Sequence, residues 1–249
     1  MHIWLRILFT SAIFICAHAA AQPAGTSREI TPEAEKAMRK IGSALRKMKG
    51  YEVEMNVVTR AAIGGGRYRE FEGKIDYAVV PPDELFAHVR GAGIERMVYY
   101  DGQTLTVHAP AQNRYAQIEA PGSIATFREQ LKQAKGLELP IADLFAWGKE
   151  KGPVSSIDEG RYAGTGMIAG RSCEHYTFTG AGVIWEVWAD SRDLPCKIGM
   201  VDSTDPGLPG YSAEITWTAS RGKVAVPRFV ADAGLNRVEL AEISDSDTP

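Results

Sequence analysis

From Tyr51 onward the apolar residues recur at every second position, and this constrains the chain more than any other feature. Tyr51, Val53, Met55 and Val57 alternate with Glu52, Glu54 and Asn56. A period of two sends these two sets to opposite faces of an extended strand, one dry and one wet. The same alternation returns in a block from about Arg161 to Thr218. Such strands need a sheet whose dry face is covered, and the chain supplies one obvious cover. Thr31-Pro32 provides a helix cap and a first-turn proline, and Ala34, Met38, Ile41, Leu45 and Met48 follow at alternating spacings of four and three up to Gly50. That spacing predicts a one-faced helix with Lys36, Arg39, Lys40, Arg46 and Lys47 toward water.

Turn chemistry predicts how the strands pair. In Met97 to Val107, Asp101-Gly102 suits a two-residue type I′ turn. Val98 then faces Leu105, Arg96 faces Val107, and Tyr99 meets Thr104 on the other side, with Val98 and Leu105 taken as inward. A turn at Gly180-Ala181 pairs Phe178 with Val183, Tyr176 with Trp185 and His175 with Glu186. A turn around Asp190 to Asp193 pairs Trp185 with Ile198, Val183 with Met200 and Glu186 with Lys197. This gathers Tyr176, Phe178, Val183, Trp185, Val187, Ile198 and Met200 on one face. Tyr115 to Ile118 reads as a strand. Ser123 can cap a helix bearing Ile124, Phe127 and Leu131, and Pro140 opens a short apolar turn through Ile141, Leu144, Phe145 and Trp147. Pro206 to Gly210 is a loop before the strand Tyr211 to Thr218.

The first residues carry a different signal. Met1 to Arg6 holds one positive charge, Ile7 to Cys16 is an apolar run, and Ala17-His18-Ala19 and Ala19-Ala20-Ala21 offer cleavage spacings. Residues 1–21 are therefore expected to be a cleavable export signal, cut after Ala19 or Ala21. A membrane span needs about 20 apolar residues, which this short core and His18 do not provide. Ile15 before Cys16 is too large for a lipid-attachment site. The expected layout is a signal over 1–21, a flexible stretch over 22–30, one domain over 31–243 and a loose tail over 244–249. A formal charge of −3 argues against nucleic acid or anionic headgroups as the main partner.

Two cysteines, Cys173 and Cys196, remain after signal removal. The register above puts Cys196 opposite Val187 and Cys173 opposite Trp188, on opposite faces with a strand between them. Two strand steps are about 10 Å, beyond the roughly 7 Å that bridged Cα atoms allow, so the cysteines are expected to stay unpaired.

Residues that carry chemistry are scattered. His88, His108 and His175 show no metal-ligand spacing, and no metal or other cofactor is expected. Gly64-Gly65-Gly66 lacks a following Lys-Ser or Lys-Thr and reads as a hairpin loop. There is no G-x-S-x-G elbow, and Ser123 is better explained as a cap. The acid pairs Asp83-Glu84 and Glu33-Glu35 have no apolar neighbours to raise a pKa for general acid work.

Met97-Val-Tyr-Tyr-Asp-Gly-Gln-Thr-Leu-Thr-Val107, Tyr115-Ala-Gln-Ile118 before Pro121-Gly122, Leu139-Pro-Ile-Ala-Asp-Leu144 and Ser172-Cys-Glu-His-Tyr176 together resemble a bacterial family of predicted periplasmic proteins known as a domain of unknown function. The resemblance spans about residues 30 to 240. That family is similar in fold to the LolA/LolB-like lipoprotein carriers. It implies an α+β protein in which a strongly curved antiparallel half-barrel sheet wraps around the N-terminal helix and a short mid-chain helical segment. It also implies a periplasmic location and an apolar cavity.

The resulting expectation is a non-enzymatic binding protein holding an acyl chain, lipid or lipoprotein on the concave face. Val53, Met55, Val98, Leu105, Tyr176, Phe178, Trp185, Ile198 and Met200 would line that face. Two alternatives stand beside it. One is an interaction or sensor subunit that docks a periplasmic or membrane-bound protein and has a packed core. The other is a hydrolase with a dispersed site.

Overall fold

The structure is a computed structural model that describes residues 29–65, 67–91, 93–124, 157–180, 182–202, 210–218 and 224–245. The expected export signal, residues 22–28, the mid-chain helical segment beyond Ile124 and the tail from residue 246 lie outside the described residues.

Helix α1 (Pro32–Lys47) begins where the cap was expected: the Thr31 hydroxyl accepts a hydrogen bond from the Ala34 amide at 3.3 Å. Glu33 and Glu35 in its first turn and Arg46 and Lys47 in its last oppose the helix dipole. Ala34, Ala37, Met38, Ile41 and Leu45 are buried, and the basic residues Lys36, Arg39, Lys40, Arg46 and Lys47 are exposed.

The strands are β1 (Glu29–Ile30), β2 (Tyr51–Gly64), β3 (Arg67–Val80), β4 (Glu84–Gly91), β5 (Ile94–Tyr100), β6 (Thr104–Ala109), β7 (Arg114–Glu119), β8 (Glu159–Ile168), β9 (Arg171–Gly180), β10 (Val183–Ala189), β11 (Pro195–Asp202), β12 (Tyr211–Thr218) and β13 (Asn236–Arg237). They form one open sheet in the order β1-β8-β9-β10-β11-β12-β2-β3-β4-β5-β6-β7-β13. The pairing is antiparallel except at the two ends, where the two-residue strands β1 and β13 run parallel to β8 and β7. Laid flat, thirteen strands would span about 60 Å, whereas a 16-residue helix is about 24 Å long. Yet residues from α1 and from β2 to β7 and β9 to β12 belong to one buried cluster. The sheet is curved, and α1 lies in its hollow.

Three turns differ from the sequence reading, each by two residues. Between β5 and β6, Tyr100 pairs with Leu105 and Val98 with Val107, so the loop spans Asp101 to Thr104. The Asp101 carboxylate accepts hydrogen bonds from the Gln103 and Thr104 amides at 3.0 and 2.7 Å, closing a wider loop than the two-residue turn. Between β9 and β10, Gly180 pairs with Val183, Phe178 with Trp185 and Tyr176 with Val187. Here Gly182, at φ +78°, takes the positive dihedral that the turn requires. Between β10 and β11, Trp185 pairs with Met200 and Val187 with Ile198. The Asp190 carboxylate accepts from the Arg192 and Leu194 amides at 2.9 and 3.2 Å, and the Asp190 amide donates to the Leu194 carbonyl. A slip of two leaves every side chain on its expected face, because side chains alternate with period two.

The expectation of unpaired cysteines is overturned: Cys173 and Cys196 form a disulfide, with Cα atoms 6.9 Å apart. Corrected by two residues, the register moves Cys173 to the level of Asp190, one residue past Ala189 where β10 ends, and Cys196 to the last residues of β10. Both cysteines then lie at the end of β10 and not across its middle. The register also shifts between Trp188 and Ala189, so Ala189 faces Pro195 and Cys196 is the extra residue of a bulge. Bulges re-aim side chains, which removes the argument from opposite faces.

The C-terminal region also differs from expectation. Residues 224–230 run over the convex face, where Phe229 packs against Tyr99, His108 and Tyr115 with ring centroids 5.5, 5.8 and 4.9 Å away. β13 and a short helix α2 (Leu240–Asp245) follow, so the loose tail expected from Ser244 begins within the end of a helix.

Candidate functional site

The nine residues expected to line the concave face all belong to that face. Val53, Met55, Val98, Leu105, Tyr176, Phe178 and Ile198 are buried, while Trp185 and Met200 are half-buried. The register relates neighbouring strands directly. Val53 stands between Trp217 and Tyr77, Met55 between Ile215 and Ile75, and Ile198 between Val187 and Ala213. Each pair sits about 5 Å apart at the backbone, so the residues form one continuous apolar lining.

The lining is not covered evenly. At β2, β5 and β6 it is closed: Met55 and Val98 are 0% exposed and Leu105 1%. Across β10, β11 and β12, Trp185, Met200 and Tyr211 follow one another through direct register pairs and all three are only half-buried.

Several polar groups belong to this interior and were not among the nine lining residues expected from the sequence. Tyr51 packs against Trp217 at 5.6 Å, and burial pushes its hydroxyl pKa well above the usual phenol range, with Tyr77 adding to the effect. Burial does the same for Tyr77. The indole of Trp217 donates to the Pro195 carbonyl at 2.6 Å. Tyr100 donates from a buried hydroxyl to the Ala120 and Gly122 carbonyls at 2.9 and 2.8 Å. Arg96 is buried on the same face and donates to the Glu95 and Ile243 carbonyls at 2.7 and 3.4 Å. The alternation of Lys74, Ile75, Asp76 and Tyr77 was the signal for Tyr77, whereas nothing local distinguished Trp217 as a neighbour of Tyr51.

Elsewhere the chemistry is sparse. Among the described residues no group of three His, Cys, Asp or Glu is placed to hold a metal ion. His88 lies 2.8 Å from Glu95. His175 stacks on Trp188 at 4.0 Å and is 3.7 Å from Glu186, too far for a hydrogen bond. A polar groove of about 290 Å³ opens on the convex face beside Phe229, lined among others by Glu84, Tyr99, Asp101, Gln117 and Arg228.

A curved open sheet that cradles one long helix and presents a continuous apolar lining has the architecture implied by the likeness to LolA/LolB-like carriers. The chain belongs to the bacterial family described as "Predicted periplasmic protein (DUF2092)", whose model matches residues 34–236. No curated protein matches the chain. Among solved structures it is similar to LppX, a lipoprotein of Mycobacterium tuberculosis, at 14% identity and TM-score 0.48, covering 78% of this chain and 99% of that one. An uncharacterized conserved protein of Thermus thermophilus gives 10% identity and TM-score 0.47, with 83% and 99% covered. MucB, known also in complex with MucA from Pseudomonas aeruginosa, gives 14% identity and TM-score 0.46, covering 81% of this chain. The chain spans 64% of the length of MucB.

Proposed function

We propose that this protein is exported by cleavage of residues 1–21 and serves as a periplasmic, non-enzymatic binding protein. Its ligand is an apolar one, an acyl chain, a lipid or the acylated end of a lipoprotein, held on the concave face of the sheet. One observation carries the reading. The apolar lining continues past its closed part to Trp185, Met200 and Tyr211, which stay only half-buried although they lie in register on the same face. Burying ten methylenes there at about 0.8 kcal/mol each gives roughly 8 kcal/mol before ordering costs, on the scale of micromolar affinity. The test is titration of delipidated protein with the neutral apolar dye N-phenylnaphthylamine. Saturable binding is expected, and Met200→Trp should weaken it at least tenfold without lowering the melting temperature. Absence of saturation up to the solubility limit of the dye would sink the reading.

A second reading, docking of a protein partner, is favoured by the β8 edge. β1 pairs only with Glu159 and Gly160, and Tyr162 and Met167 beyond them are 45% and 67% exposed. An extended segment could add a strand at such an edge.

A further inference from the structure

The hairpin of β2 and β3 outruns the sheet on both sides. β12 pairs with β2 only as far as Thr59, where the Arg60 amide donates to the Gly210 carbonyl at 2.8 Å, and β4 leaves β3 at Gly73. Beyond these points the two strands pair only with each other among the described residues, out to Gly64 and Arg67. That is about six residues, or roughly 20 Å, past the end of β4. A two-stranded ribbon with no covered face is only marginally stable in water. The arm nonetheless carries Ile63 at 42% exposure and Tyr68 at 37% around the run Gly64-Gly65-Gly66, and neither side chain belongs to the buried cluster. Its charge also differs from that of the chain. From Arg60 to Arg69 there are three arginines and no acid, although the whole chain stands at −3. Arg60 meets Glu70 at 2.7 Å, whereas Arg67 and Arg69 are exposed and have no acidic partner among the described residues.

We propose that this arm docks the protein on an anionic membrane surface, with Ile63 and Tyr68 at the boundary between headgroups and acyl chains and Arg67 and Arg69 on the lipid phosphates. Arginines alone would suit any acidic partner. An aliphatic residue and a tyrosine set among them fit a bilayer interface, where a ring lies at headgroup depth, an aliphatic side chain goes below it and the guanidinium groups stay with the phosphates. The place of the arm in the sheet points the same way. The half-buried row Trp185, Met200 and Tyr211 continues in register to Thr59 and Phe71, at the root of the arm. The partly uncovered end of the apolar lining and the arm therefore lie at one end of the sheet. On the binding reading above, a ligand with acyl chains comes from a bilayer, and docking by the arm holds that end of the lining against it.

The test is co-sedimentation of the processed protein with vesicles of phosphatidylethanolamine and phosphatidylglycerol, at about 0.05 M and about 0.5 M salt, and with vesicles of phosphatidylcholine alone. Wild type should bind the anionic vesicles at low salt, and roughly tenfold more weakly at high salt or on phosphatidylcholine. Arg67→Gln with Arg69→Gln should weaken binding roughly twentyfold, about fivefold for each charge removed. Ile63→Ser with Tyr68→Ser should weaken it roughly tenfold. Both variants should keep the wild-type melting temperature and bind N-phenylnaphthylamine as wild type does. Lys36→Gln with Lys47→Gln, on the exposed face of α1, should leave vesicle binding unchanged. If the serine pair lowers the melting temperature, the arginine pair decides, because its side chains are exposed. No binding of wild type to the anionic vesicles, undiminished binding of the arginine pair, or loss of binding in the α1 variant would each overturn the proposal. Vesicle binding without saturable dye binding would uphold the docking arm and overturn the binding reading instead.

Discussion

Breaking the disulfide should lower stability by an amount that its place in the chain sets. Cys173 and Cys196 are 23 residues apart and buried. In the chain-entropy account, a cross-link closing a loop of that length removes about 12 cal/mol/K from the unfolded ensemble, or about 3 kcal/mol at 25 °C. The slope of stability against urea for a domain of this size is about 2 to 3 kcal/mol/M. Adding reductant should therefore lower the urea midpoint by about 1 M, and the Cys173→Ala, Cys196→Ala double variant should match the reduced protein. Thiol titration of the unfolded, unreduced protein gives a second reading. The processed chain should show no free thiol, and a chain that keeps Met1 to Ala21 should show one, from Cys16. Two free thiols in processed protein, or a midpoint that reductant leaves unmoved, would refute the reasoning and restore the register in which β10 separates the two residues.

The closed part of the lining should respond differently from its half-exposed end. Leu105→Trp adds bulk to a site that is 1% exposed, between Tyr100 and Ile118, and should cost about 1 to 3 kcal/mol in urea unfolding; an unchanged midpoint together with lost dye binding would show open space at that site instead. Acidification should also destabilise the fold. Burial holds the His108 and His175 pKa values below the ordinary 6.5, against the opposing pull of Asp232 and Glu95 on His108 and of Glu186 on His175, while Lys197 lowers His175 further. Their folded pKa values are lower than their unfolded ones, so the unfolded chain takes up protons first and stability falls as pH drops through about 6.5. The urea midpoint at pH 5.5 should be below that at pH 7, and His108→Gln with His175→Gln should flatten the difference. A wild-type midpoint that rises on acidification would contradict this assignment.

The facing of side chains was legible from residue order. Val53, Met55, Val98, Leu105, Tyr176, Phe178 and Ile198 are inward because alternation is a local property of an extended chain, which even the two-residue slips preserved. Helix α1 was legible for the same kind of reason: its cap and its apolar stripe lie within a few residues of each other. Pairing partners were not. Loop lengths at Asp101 and Asp190 depend on carboxylates that fold back onto backbone amides, and the cysteines meet because a strand ends and a bulge intervenes beside them. Residues 224–230 illustrate the limit further, since Phe229 finds Tyr99, His108 and Tyr115 across more than a hundred residues of chain. The sequence by itself determined which way the residues of each strand face. Only the tertiary structure decided that Met55, Val98 and Leu105 are closed over while Trp185, Met200 and Tyr211 are left half-buried, because coverage depends on which distant segments come to rest on a curved sheet.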